Sequence, residues 1–141
     1  MQNIIVDSSV ATKWYFEKDE AELDKAREIF DLVTNGELTL VAPKIILLEL
    51  ANTAKFGKKA DKVRCLEAVT LFEEFIDKFD ELPQMKVIIE KSYFGDIASY
   101  DAAFVALAEK LNVPLITADY KHHKKSISKN IIWLKEWQGK L

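Results

Sequence analysis

The residues with evident chemical potential in this 141-residue chain are four carboxylates at the margins of apolar stretches: Asp7, Glu49, Asp101 and Asp119. Asp7 directly follows the apolar run over 3–6, and Asp119 stands two residues beyond the run over 114–117. Glu49 interrupts Ile45, Ile46, Leu47, Leu48 and Leu50, and Asp101 precedes an unbroken apolar stretch over 102–108. Taken singly, each aspartate has an ordinary structural use: Asp7 and Asp119 as helix caps, Asp101 as a partner of a helix dipole. A carboxylate among leucines and isoleucines is costlier and needs a partner. No Arg or Lys stands directly beside any of the four. Gathered in one place they would repel one another and call for a cation, and oxygen-only donors suit Mg2+ or Mn2+. One or two such ions over a phosphodiester can activate water and stabilise the leaving oxygen.

Whether the acids meet depends on the elements that carry them. The run over 3–6 reads as a buried strand, and 10–16 as a short helix or turn. Apolar spacing at Leu23, Ala26, Ile29, Phe30 and Val33 predicts a helix over 21–35, closed by Asn35 and Gly36. A second strand over 38–42 leads to Pro43, which suits the first position of a helix over 43–56. The longest helix is expected over 60–79, with a brief strand near 79–82 and another helix over 83–93. Ser99 is placed to cap a helix buried on most sides. Asn112 suits the left-handed position after it, and Pro114 bars its continuation. Short strands follow over 114–117 and 131–134. Strands alternating with helices predict a single domain over 1–141, an α/β/α sandwich of three layers around a mostly parallel sheet. Ligands of such sheets sit outside the carboxyl ends of the strands, where Asp7 and Asp119 both fall.

Several neighbours could support the acids. Asn52 and Thr53 lie one turn beyond Glu49 on its face of the helix. Ser8, Ser9 and Thr117 could hold a carboxylate, a metal-bound water or a phosphate, or make only local turn bonds. The segment 120–129 holds Lys121, Lys124, Lys125 and Lys129 with His122 and His123 and no acid, so it reads either as a phosphate-contacting rim or as a solvated loop. Its adjacent histidines lack the i, i+4 spacing of a zinc helix. Trp14, Tyr15 and Phe16 could stack on bases, though core packing is the readier role.

Composition sets outer limits. A net charge of −3 argues against a protein that coats nucleic acid by bulk charge. Cys65 is the only cysteine, so neither an intrachain disulfide nor a cysteine zinc site is expected. The first ten residues carry no basic leader, no segment is long enough to span a bilayer, and a cytoplasmic protein is expected. Repeats, low-complexity tracts, linkers and glycine-rich phosphate loops are absent from the sequence.

IIVDSSVATKW over 4–14, LLELANTA over 47–54 and SYDAAFVALAEKLNVPLITAD over 99–119 together resemble the PIN-domain ribonucleases, especially the VapC-like toxins, with the acids in the order Asp, Glu, Asp, Asp. The resemblance spans almost the whole chain. It implies the three-layer fold, a Mg2+- or Mn2+-dependent endoribonuclease that cleaves RNA with a metal-activated water, and metal binding by Asp7, Glu49, Asp101 and Asp119. Ser8 and Thr117 are implied to sit behind those ligands. A homodimer and a small antitoxin that blocks the site are implied as partners.

Two other readings stand beside this one. The first is a non-catalytic PIN-like module that binds RNA or protein and holds a metal structurally. The second is an aspartate-based phosphoryl-transfer domain with Asp7 as nucleophile. A haloacid-dehalogenase pattern wants another Asp where Ser9 stands, and a receiver wants paired acids by its first strand and a later strand-end lysine. Neither pattern is present.

Overall fold

Ile4, Ile5 and Val6 are wholly buried, which suits a strand covered on both faces. In the computed structural model, which describes residues 2–139, they lie in β1 (Gln2–Val6) at the centre of a five-stranded sheet. One side of β1 pairs with β2 (Leu38–Ala42), which pairs in turn with the two-residue edge strand β3 (Lys78–Phe79). The other side pairs with β4 (Leu115–Thr117), and β5 (Ile131–Trp133) closes that edge. Every pairing is parallel, in the order β3-β2-β1-β4-β5, with Ile5 opposite both Val41 and Leu115.

Six α-helices fill the connections: α1 (Ser8–Tyr15), α2 (Leu23–Thr34), α3 (Ile45–Asn52), α4 (Lys62–Phe75), α5 (Met85–Gly95) and α6 (Ser99–Leu111). Parallel crossovers run right-handed. The steps from β1 to β2 to β3 therefore carry α1–α4 on one face, and the return step to β4 carries α5 and α6 on the other. The packing agrees: α1 lies on α2 and α3, α3 on α4, and α5 on α6. Among the described residues no helix is long and apolar enough to cross a membrane.

The expected α/β/α sandwich is therefore present, and its differences from the sequence reading lie at element ends. The helix expected over 43–56 is α for its first two turns and then widens into a π turn at Thr53–Gly57. The helix expected over 60–79 stops at Phe75, because Ile76 turns extended to bring Lys78 and Phe79 beside β2. Ser99 is not the cap of α6: Ala98 holds that position with no side-chain bond, and Ser99 is already helical. Asn112 is left-handed at φ 54, as its place before Pro114 requires, and residues 102–108 are buried without exception.

Trp14 packs inside, against Phe30, Phe72 and Phe75, and its Nε1–H donates to the Ala26 carbonyl at 2.7 Å. Trp14 is half-buried and Phe16 buried, so these two of the three aromatics over 14–16 are scaffold and not base-stacking groups. Phe72 is fully buried and meets both Trp14 and Tyr15. Phe72→Ala is expected to cost about 3–5 kcal/mol in urea unfolding, as large core truncations do. A loss below about 1 kcal/mol would mean that α1 and α4 are not packed through this ring.

Candidate active site

In the strand order 3-2-1-4-5, the chain moves one way from β1 to β2 and the other way from β1 to β4. The crevice outside the carboxyl ends of β1 and β4 is thus the switch point of the sheet. Asp7 is the first residue past β1 and caps α1, its Oδ1 accepting from the Ser9 N–H at 3.1 Å. The Ser9 hydroxyl also donates to Oδ1 and accepts from the Ala118 N–H at 2.8 Å, tying the exit of β1 to the exit of β4. Thr117, the last residue of β4, donates its hydroxyl to Asp7 Oδ2 and accepts from the Asp119 N–H at 3.0 Å. The ring of His123, wholly buried, places Nδ1 at 3.1 Å from Asp7 Oδ2. Burial pushes the Asp7 carboxyl above its ordinary value, against the pull of His123, Ser9 and Thr117.

Asp101 stands in the first turn of α6, partly buried, with Oδ1 3.9 Å and its main-chain oxygen 3.3 Å from His123 Nε2. Burial raises its pKa, His123 opposes, and the charges of Asp119 and Asp7 add to the rise. Glu49 projects from α3, and its Oε1 is buried without a hydrogen-bond partner. Burial, then repulsion from Asp7, Asp101 and Asp119, pushes its carboxyl up to about 8. The four acids therefore share one field. Among the described residues, however, no three acidic, His or Cys side chains close around a common point.

Asp119 is more open than Asp7 and Asp101. It caps the turn that follows β4, accepting from the His122 N–H at 3.2 Å, with the exposed His122 ring 3.0 Å from Oδ2. Beside it lies a recess of about 420 Å3 lined by Ser8, Ser9, Thr12, Lys13 and Thr53. Lys13 is buried in its wall, bonded to Glu20 at 2.9 Å and to the Ala21 carbonyl at 2.7 Å. Glu20 also pairs with Lys58. Against the upward push of burial, the bonds from Lys58 and Lys13 hold Glu20 below its ordinary value.

Of the residues singled out from sequence, Asp7, Glu49, Asp101 and Asp119 are brought together, with Thr117 directly behind Asp7. The serine that reaches Asp7 is Ser9, while Ser8 lines the recess. Asn52 is exposed, and Thr53, one residue on, lines the recess instead. Lys121 and Lys124 are exposed, but Lys125 pairs with Glu136 and lies over the Trp133 ring. His123 and the Lys13–Glu20–Lys58 chain escaped the sequence reading. The only signal for His123 was its place four residues after Asp119, in a segment that looked uniformly polar.

The PIN domain family model matches residues 4–127. Among solved structures, the chain resembles the crystal structure of PAE2754 from Pyrobaculum aerophilum. The TM-score is 0.67 at 17% identity, and the match covers 94% of this chain and 90% of that one. At that identity the likeness speaks to the fold. No curated protein matches the sequence.

The field at Glu49 has a measurable consequence for the metal-free protein. Glu49 binds its proton more tightly folded than unfolded, so stability is lost as pH rises from 4.5 through about 8. In chelator at pH 9, Glu49→Gln is expected to melt about 3 °C or more above the unsubstituted protein. The gap should close toward pH 4. Calorimetry showing the Gln variant melting lower at pH 9 would mean that Glu49 has a cationic partner.

Proposed function

The chain belongs to the PIN domain family, whose members are generally nucleases, and from that premise we propose that it is a divalent-metal-dependent endoribonuclease, the toxin of a VapC-like toxin–antitoxin pair. One observation carries the reading: a half-buried glutamate with an unpartnered oxygen shares the field of three more carboxylates at the switch point of the sheet. Buried polar atoms rarely go without partners. Like charges are gathered at such cost where a cation offsets them.

The donor set fits Mg2+ or Mn2+, being oxygen only and partly open to water. Asp7, Glu49, Asp101 and Asp119 would hold the ion. When bound, it supplies charge neutralisation and the Lewis acidity that hydrolysis of a phosphodiester needs. The rest falls to the chain itself. Ser9, Thr117 and His123 hold Asp7 in one orientation. Burial and the neighbouring carboxylates push the Glu49 carboxyl up to about 8, and a cation held there would favour its ionised form. Ser8, Thr12 and Thr53 give the recess beside Asp119 a hydroxyl lining, and its Lys13 is already paired with Glu20 in the same wall.

A non-catalytic PIN-like binding module is the second reading, favoured by the lack, among the described residues, of three donors already closed around one point. Phosphoryl transfer through Asp7 is disfavoured. The second Asp that a haloacid-dehalogenase pattern wants is Ser9 here, and the paired acids of a receiver are missing beside β1. The partner readings rest on the family resemblance and on two exposed apolar faces. Leu48, Phe56 and Val63 mark one, on the α3–α4 side. Tyr93, Phe94 and Tyr100 mark the other, on α5 and α6. Exposed apolar side chains of this size suit contact with a second copy of the chain or with a small antitoxin.

Purified protein incubated with a mixed RNA pool in Mg2+ or Mn2+ should yield 5′-phosphate ends and lose activity in chelator. Ends carrying a 2′,3′-cyclic phosphate, or full activity in chelator, would remove the reading. Replacing Lys121 and Lys124 by Ala should flatten the salt dependence of RNA binding by about 0.7 for each phosphate no longer neutralised. Lys125→Ala should change it less, since Glu136 already shares that charge. Equal slopes for all variants would make the segment a bystander.

A further inference from the structure

In the turn directly after β4 the His123 side chain points inward. His123 is wholly buried in a stretch whose neighbours His122 and Lys124 are exposed. Its backbone is held from both sides: the N–H donates to the Asp119 carbonyl at 2.9 Å, and the carbonyl accepts from Trp133 Nε1–H at 2.8 Å. The ring then lies between the two acids that come from opposite helix layers. Nδ1 faces Asp7 Oδ2 at 3.1 Å, and Nε2 faces the main-chain oxygen of Asp101 at 3.3 Å. Asp7 begins α1 and Asp101 sits in the first turn of α6, so no local bond can set the distance between them. His123 touches both.

We propose that His123 is a positioning residue for the carboxylate site, acting as a strut between α1 and α6: its Nδ1–H fixes the rotamer of Asp7, and its Nε2 edge seats the first turn of α6 that presents Asp101. This rests on the metal-dependent reading above. The role is distinct from core packing. An apolar ring of like size would fill the space but leave Asp7 Oδ2 with Thr117 alone. Groups that orient metal ligands from behind typically contribute 10–100-fold in metal affinity or activity.

The test uses side chains that keep one end of the strut at a time. In His123→Asn the amide nitrogen falls near the position of Nδ1, toward Asp7. In His123→Gln it falls near Nε2, toward Asp101. His123→Leu keeps bulk and no donor. Mn2+ affinity is read from the signal of the free ion in electron paramagnetic resonance, and RNA cleavage as separate kcat and KM. His123→Leu is expected to weaken Mn2+ binding about 10-fold or more and to lower kcat, with KM for RNA within about twofold. His123→Asn should recover most of the affinity, and His123→Gln should stay close to Leu. If Leu does not fold, the Asn and Gln pair carries the comparison, since both keep an amide of similar polarity and differ in where it donates. Wild-type Mn2+ affinity in the Leu variant, or equal losses in Asn and Gln, would overturn the strut while leaving the nuclease reading intact. A wild-type protein that binds no Mn2+ and cuts no RNA would overturn both.

Discussion

One carboxylate organises this molecule. Asp7 accepts from the backbone and hydroxyl of Ser9 at the start of α1, and from the hydroxyl of Thr117 and the ring of His123 at the exit of β4, more than a hundred residues away. The same group caps α1, closes the exit of β1 against β4, and anchors the loop that returns to β5. A buried carboxylate left without such donors would be strongly destabilising. The donors therefore have to be in place for the centre of the sheet to close, and once they are, the direction in which Asp7 points is settled.

That arrangement creates a second constraint. Asp101 and Glu49 approach from opposite helix layers and Asp119 from the end of β4, each adding negative charge to a region that already holds Asp7. Nearby positive charge is scarce: Lys13 is committed to Glu20, and the two histidines lean on Asp7 and Asp119. In the metal-free protein the strain falls chiefly on Glu49, the acid with a buried oxygen and no partner. Stability is set aside at this edge of the sheet, as is usual where groups are arranged for chemistry and not for folding.

The scaffold tolerates this because its support lies elsewhere. Trp14, Phe30, Phe72 and Phe75 bind α1, α2 and α4 into one aromatic cluster, with Phe30 and Phe75 stacked at 4.2 Å between centroids. On the other face, α6 buries every residue from 102 to 108. The acids thus stand on the ends of elements whose bodies are fixed by apolar packing, and an unfavourable field at those ends can be carried.

Much of this was legible in the chain. Strand-length apolar runs ending in Asp7 and near Asp119, the alternation of strands and helices, and Asn112 before Pro114 are local patterns. Their physics is local too: burial on both faces, helical periodicity, a left-handed turn that Asn tolerates. These were enough to put Asp7 and Asp119 at the carboxyl edge of the sheet and to name the sandwich. Tertiary structure alone decided which neighbours serve them. Ser9 reaches Asp7 where Ser8 does not, and Thr53 faces the recess where Asn52 faces solvent. Lys125 is engaged by Glu136, and His123 turns inward from a polar segment. Helix ends moved for the same reason, as when Ile76 left the helix to let Lys78 and Phe79 pair with β2. Ser9 bonds Asp7 only two residues away, but its hydroxyl is held there by the Ala118 N–H. His123 and β3 are likewise directed by partners far off in sequence, since side-chain direction at a turn is set by what lies across the gap, which no local pattern encodes.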